Sequence, residues 1–146
     1  MIRWILGFAA LAAGCAESVS PEPLGDYTAW KRLDVIGEAP GHGDTYRIIY
    51  ANDLASDPAS TLYNGYPEGS VIVKEIYEND GDRPGALKYV AIMRRIGAVT
   101  TALVDQGGWL FSQSSKPNGS ETHTDRCWNR CHVAAPFNGA WYDYRK

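Results

Sequence analysis

The sequence predicts an α+β, mainly β fold: an antiparallel sheet of about five strands with flanking helices and a C-terminal helix. Three observations carry that expectation. Short runs alternate between two faces, as in Thr45–Ala51, Val71–Tyr77 and Leu87–Ile96. The connections between such runs hold Gly, Asp and Pro, which suits hairpins better than helical crossovers. The chain has 146 residues, 45% of them hydrophobic and 12% aromatic, enough for one core without a disulfide lattice.

The opening MIRWILGFAALAAGCAES is set apart from that domain. Arg3 precedes an apolar run from Trp4 to Ala13, and small residues lead to Cys15, the pattern of a bacterial export signal. The run is shorter than the roughly 20 residues of a membrane span. Leu11–Gly14 before Cys15 resembles a lipobox, so residues 1–14 are expected to be a lipoprotein signal and Cys15 the lipidated residue. Ordinary cleavage near Ala16 and a retained anchor are the alternatives, and these too send the domain outside the cytoplasm. Cleavage by either route places the domain, residues 26–146, in the periplasm, and lipidation tethers it to the outer membrane by a lipid anchor only. Residues 15–25 then form a polar, Pro-containing tether, expected to be mobile.

Along the domain, Tyr27, Trp30, Leu33 and Val35 fall near the helical period, predicting a helix over Asp26–Ile36. Gly37–Asp44 is a loop by composition. Thr45–Ala51 is a strand with Tyr46, Ile48 and Tyr50 on one face and Arg47, Ile49 and Ala51 on the other. Asn52 caps a short helix reaching about Ser60. The Tyr66–Ser70 turn (YPEGS) launches Val71–Tyr77, and strands over Leu87–Ile96 and ending at Trp109–Ser112 follow. A last helix begins near Thr122, where Thr122-x-x-Asp125 fits a capping box, and Pro136 ends it at or before Ala135.

Charge and composition exclude several roles. Lys and Arg number 14 against 17 Asp and Glu, so no basic face for nucleic acid is expected. Five Trp and nine Tyr exclude a disordered solvating chain.

The chemistry gathers at CWNRCH, Cys127–His132. Cys-x-x-Cys-His attaches c-type haem through two thioethers, with the adjacent His placed to bind iron. Here one more residue separates the thiols, and moving a side chain from i+3 to i+4 on a helix keeps it on the same face. Two other readings stay open on the motif alone. The thiols can pair in an oxidising compartment, although i,i+4 cysteines on a helix are poorly aimed for it. Zinc can use His123, Cys127 and Cys131 at i, i+4 and i+8, with His42 of the Gly41–Gly43 loop as a fourth ligand.

A second oddity lies in the Val71–Tyr77 strand. Lys74 shares a face with Ile72 and Ile76, where a buried amine is costly and reactive. The alternative is a lysine that reaches water along an edge strand.

Taken with GHGDTYRIIYAND (Gly41–Asp53), YPEGSVIVKEIY (Tyr66–Tyr77), YVAIMRR (Tyr89–Arg95) and GGWLF (Gly107–Phe111), the chain resembles the cytochrome P-460 family, whose sister group is cytochrome c-prime-beta. The likeness runs from Trp30 to Tyr144. It implies one covalent haem c on Cys127 and Cys131, His132 as proximal iron ligand, and a mainly antiparallel sheet against which the haem lies. It implies that Lys74 matches the lysine that the P-460 branch bonds to the macrocycle, with Ile72, Ile76 and Met93 lining the distal pocket. Members with that bond oxidise hydroxylamine, whereas the sister group binds diatomic gases such as nitric oxide. An electron-accepting cytochrome and a homodimer formed through the sheets are the partners so implied. Two departures stand out: the extra residue between the cysteines, and Met93 near the place of a pocket carboxylate, where methionine cannot act as an acid or base. A non-enzymatic envelope lipoprotein of this fold, with a disulfide or zinc in place of haem, is the alternative.

Overall fold

The computed structural model describes residues 22–62, 65–97 and 101–146. The expected signal segment and Cys15 lie outside the described residues. Nine elements follow in order: β1 (Lys31–Ala39), β2 (Gly43–Ala51), α1 (Asp53–Ser56), β3 (Val71–Asn79), β4 (Pro84–Arg95), α2 (Thr101–Asp105), β5 (Trp109–Ser114), β6 (Thr122–His123) and α3 (Arg126–Arg130). The strands pair antiparallel in sequence order, β1 to β6, as one meander. The fold is mainly β, as expected, and the described residues hold six strands where about five were anticipated.

β1 corrects the predicted helix over Asp26–Ile36. Only Tyr27–Ala29 is helical, one 3-10 turn, and the chain is extended from Trp30. Tyr27 and Trp30 belong to that turn, while Leu33 and Val35 obey strand alternation, so two conformations joined end to end imitated a 3.6 period. Nine residue pairs with β2, from Lys31↔Ala51 to Ala39↔Gly43, decide the outcome. The predicted loop over Gly37–Asp44 accordingly shrinks to the tight turn between β1 and β2.

β2 and β3 appear where alternation put them. Tyr46, Ile48, Tyr50 and Val73 join one apolar cluster with Tyr27, Val90 and Ile92. Ile49, Ala51 and Ile72 join the other, with Met93, Trp109 and Phe111. Asn52 caps α1 by accepting from the Ala55 N–H at 3.0 Å, and its Oδ1 also receives the Val71 N–H. α1 stops at Ser56, and a separate 3-10 turn begins at Pro58, which cannot donate into the helix before it.

Of the expected tether, residues 15–21 lie outside the described residues. The Glu22 carbonyl accepts from Arg94 Nη2 at 3.3 Å, and Leu24 packs on the Tyr27 cluster. Arg94 forms a buried bidentate pair with Glu121, at 2.5 and 2.6 Å, and Ser112 donates to the same carboxylate. At the other end, Tyr144 is buried against the Trp109 cluster, and its N–H donates to the Tyr66 hydroxyl at 3.2 Å.

The C-terminal helix is the second correction. Thr122 and His123 extend in β6, paired with Gln113 and Ser112, so the capping box does not form. α3 spans only Arg126–Arg130, with Asp125 as an N-cap that makes no side-chain bond. It stops at Cys131, whose φ of −135° and ψ of −55° leave the helical region, five residues before Pro136.

Candidate functional site

The break at Cys131 decides how the motif is presented. Past it the chain turns into a 3-10 turn, His132–Ala134, and the His132 imidazole is carried inward until the residue is 8% exposed. Its ring lies 4.9 Å from Phe111 of β5, centroid to centroid. His132 Nδ1 stands 2.6 Å from the Gly139 carbonyl oxygen. A carbonyl only accepts, so Nδ1 carries the proton and Nε2 keeps its lone pair. That is the arrangement in which a histidine binds metal, oriented by a backbone partner. Burial holds the imidazole below its ordinary pKa, which favours the neutral ring that can ligate.

The carbonyl is itself fixed. Phe137 and Ala140 exchange two backbone hydrogen bonds of 3.1 Å around Asn138-Gly139. Trp109 Nε1–H donates to the Asn138 carbonyl at 2.7 Å, tying this turn to β5. Gly139 has φ +90°, and a Cβ there would lie 2.9 Å from the Trp109 indole. Sequence reasoning missed this support; the Asn-Gly pair after the motif was its only trace.

Lys74 faces the same hollow. It lies on β3 between β2 and β4, opposite Ile49 and Ala91, so it is no edge lysine. The small Ala91 leaves space beside its chain. A cavity of about 20 Å³ is lined by Lys74, Ile72, Met93, Phe111, Cys127, His132 and His42 among others. Burial and the charge of Arg47 push the Lys74 amine down to about 8. Burial also raises the Cys127 thiol. His42, in the turn after β1, sits 3.5 Å from Lys74 Nζ through Nε2 and 2.7 Å from the Tyr89 hydroxyl through Nδ1. Burial, then Lys74 and Arg47, bring its pKa down to about 4.

Not every expected residue reaches the cavity. Ile76 shares the Lys74 face and is fully buried, but it is not among the lining residues. Cys131 also stands outside the lining, with Sγ 3.4 Å from where a Cβ on Gly41 would be. Cys127 and Cys131 are both free thiols. His123 is exposed on β6, off the helix that the zinc reading required, and no group of three or more His, Cys, Asp or Glu among the described residues is placed to hold a metal ion. A wider groove of about 650 Å³, lined by Glu22, Leu24, Asn118 and Glu121, lies elsewhere and contains none of these groups except His123.

The donor set fits a covalently held haem: a backbone-oriented imidazole, two free thiols one and five residues before it, and the Lys74 amine on the same cavity. Sites for ligands of that size enclose roughly 300–1,000 Å³, so a macrocycle here requires the α3 segment to stand farther from the sheet. No residue of α3 is fully buried, but Cys127 and Trp128 pack on the Trp109 cluster, so that displacement would have to give up those contacts. A model of the family described as cytochrome P460 matches residues 24–139. The chain belongs to the cytochrome P460 family. It is accordingly a c-type haem protein, of a family that binds haem c. Comparison with curated proteins returns no match. Within the matched span lie the cavity, Lys74, both cysteines, His132 and the Gly139 carbonyl.

Proposed function

We propose that this cytochrome P460 is exported and carries one haem on Cys127 and Cys131, with His132 as the iron ligand, and that it binds or oxidises small nitrogen species, hydroxylamine or nitric oxide. The observation that carries this reading is the convergence of His132, locked by Gly139 into the metal-binding tautomer, with Cys127 and Lys74 on one buried cavity. When bound, haem supplies a redox-active iron with an exchangeable position. The chain supplies the rest. His132 would hold the iron through Nε2. Ile72, Met93 and Phe111 keep water away, which favours a small uncharged ligand. Met93 carries no exchangeable proton, so proton handling falls to Lys74 and His42. Lys74 would form the covalent bond to the macrocycle that accompanies hydroxylamine oxidation in the P-460 branch; without that bond the pocket would suit gas binding. An electron-accepting cytochrome is the partner that oxidation requires. The signal segment over residues 1–14, and lipidation at Cys15, would place the domain in the periplasm on the outer membrane.

The test is expression in a periplasm equipped for c-type maturation, followed by haem staining of a denaturing gel and a spectrum of the reduced native protein. Stain that survives denaturation is expected in the native chain, and is lost when Cys127 and Cys131 are both replaced by Ala. His132→Ala keeps the stain and changes the spectrum. A strongly red-shifted reduced Soret band that disappears in Lys74→Met marks the cross-link and the oxidase branch, and a normal band marks gas binding. A colourless product with maturation intact refutes the haem assignment.

A further inference from the structure

His42 offers each ring nitrogen a different partner. The turn that holds it is flanked by Gly41 and Gly43, at φ +74° and +68°, a conformation open to glycine that folds the turn over the sheet. Nε2 faces Lys74 Nζ at 3.5 Å, inside the cavity. Nδ1 faces the Tyr89 hydroxyl at 2.7 Å. Tyr89 is not among the cavity-lining residues and is only half-buried, next to exposed Lys88 on β4. Three polar groups therefore contact one another in sequence, from the cavity to a half-buried tyrosine.

The contrast with His132 is chemical. A carbonyl facing Nδ1 allows His132 one tautomer. Tyr89 can both donate and accept, and Lys74 donates as an ammonium and accepts as an amine, so His42 can carry its proton on either nitrogen. We propose that Lys74, His42 and Tyr89 form a proton path between the cavity and solvent, with His42 exchanging tautomers at its centre. In the outward direction, the Lys74 ammonium gives a proton to His42 Nε2. The imidazole gives its Nδ1 proton to the Tyr89 oxygen, and Tyr89 gives its hydroxyl proton to water. One proton leaves Lys74 and one enters solvent; no electron moves, and His42 is uncharged before and after. The reverse sequence brings a proton in. Burial and the charges of Lys74 and Arg47 disfavour the imidazolium form of His42, which agrees with a neutral carrier. The use of the path rests on the proposed haem site with Lys74 unbonded to the macrocycle, whereas the contacts that form it do not.

The test uses the full chain labelled with ¹⁵N-histidine and observed by NMR, reduced and saturated with carbon monoxide so that any haem iron is diamagnetic. Haem staining of the same preparation reports on the haem assignment separately, so failure of one reading is told from failure of the other. His42 is expected to show averaged ring-nitrogen shifts of two exchanging tautomers. Tyr89→Phe, which keeps the ring and removes the hydroxyl, should collapse them to one tautomer and slow solvent exchange of the His42 ring N–H by about tenfold or more. Lys74→Met should produce the same collapse from the other side. A single fixed tautomer in the native chain, or exchange unchanged in Tyr89→Phe, or a mixture that persists in Lys74→Met, overturns the proposal.

Discussion

Gly139→Ala gives the sharpest check on how the His132 support is built. Gly139 has φ +90°, and an added Cβ would lie 2.9 Å from Trp109 Cδ1 and Nε1 and 3.0 Å from Trp128. These neighbours are rigid rings, and Trp109 is 1% exposed, so it has nowhere to go. A positive φ on an L-residue costs about 1–2 kcal/mol, and forcing a methyl into a packed site costs about 1–3 kcal/mol. A domain of this size loses roughly 4 °C of Tm per kcal/mol, so Gly139→Ala should melt roughly 8–20 °C lower. Gly81→Ala is the control: φ is +57° and nothing lies within 4 Å of its Cβ. Strain alone then predicts a loss of about 1–2 kcal/mol. Thermal unfolding followed by circular dichroism, with both variants run in parallel, measures the difference. Equal melting of the two variants would refute the packing argument, and with it the claim that Trp109 packs the turn whose Gly139 carbonyl orients His132.

Two further perturbations test the buried charges. Glu121→Gln leaves Arg94 buried without its anion and should cost about 3–5 kcal/mol in denaturant unfolding; a loss below about 1 kcal/mol would mean that the pair behaves like a surface one. Burial alone would raise the Glu121 carboxyl, but hydrogen bonds from Arg94 and Ser112 and the Arg94 charge outweigh it, leaving the pKa below the ordinary value. The contribution is therefore complete above the usual glutamate range and lost as pH falls through the folded pKa, so acid should destabilise the native chain more steeply than Glu121→Gln. For Lys74 the sign reverses. Its amine sits at about 8 against an ordinary 10.5, so between those values the unfolded chain holds more protons and stability rises with pH. In chain made without haem maturation, where the amine is unbonded, Lys74→Met should be more stable than the native chain at pH 7, and the gap should narrow as pH climbs above 8. A gap independent of pH would show that Lys74 reaches water.

Much of the sheet was legible because alternation reports a strand directly. Val71–Tyr77 and Thr45–Ala51 each bury residues on two faces, and their order of apolar and polar side chains predicts which cluster each joins. Lys74 stood out for the same reason, since an amine between two isoleucines breaks the pattern on a buried face. β1 was not legible. Tyr27, Trp30, Leu33 and Val35 carry a helical spacing, and only pairing with β2, a contact between residues up to 20 positions apart, overrides it. β6 and the true start of α3 were hidden likewise, because Thr122 and His123 are held by Ser112 and Gln113 and not by their own neighbours.

By itself the sequence determined the chemistry on offer: two thiols and an imidazole at Cys127, Cys131 and His132, and an inward amine at Lys74. It also determined the sheet that carries the amine, because strand alternation is a local property. Tertiary structure decided which atoms of those groups can act. His132 presents Nε2 because the Gly139 carbonyl occupies Nδ1, and the turn that carries Gly139 is tied down by the Trp109 indole, which donates to the neighbouring Asn138 carbonyl from 29 residues earlier. His42 meets Lys74 across 32 residues and Tyr89 across 47. Hydrogen-bond partners so far apart in sequence leave no periodic signal along it, so tautomer and orientation emerge only when the chain is folded.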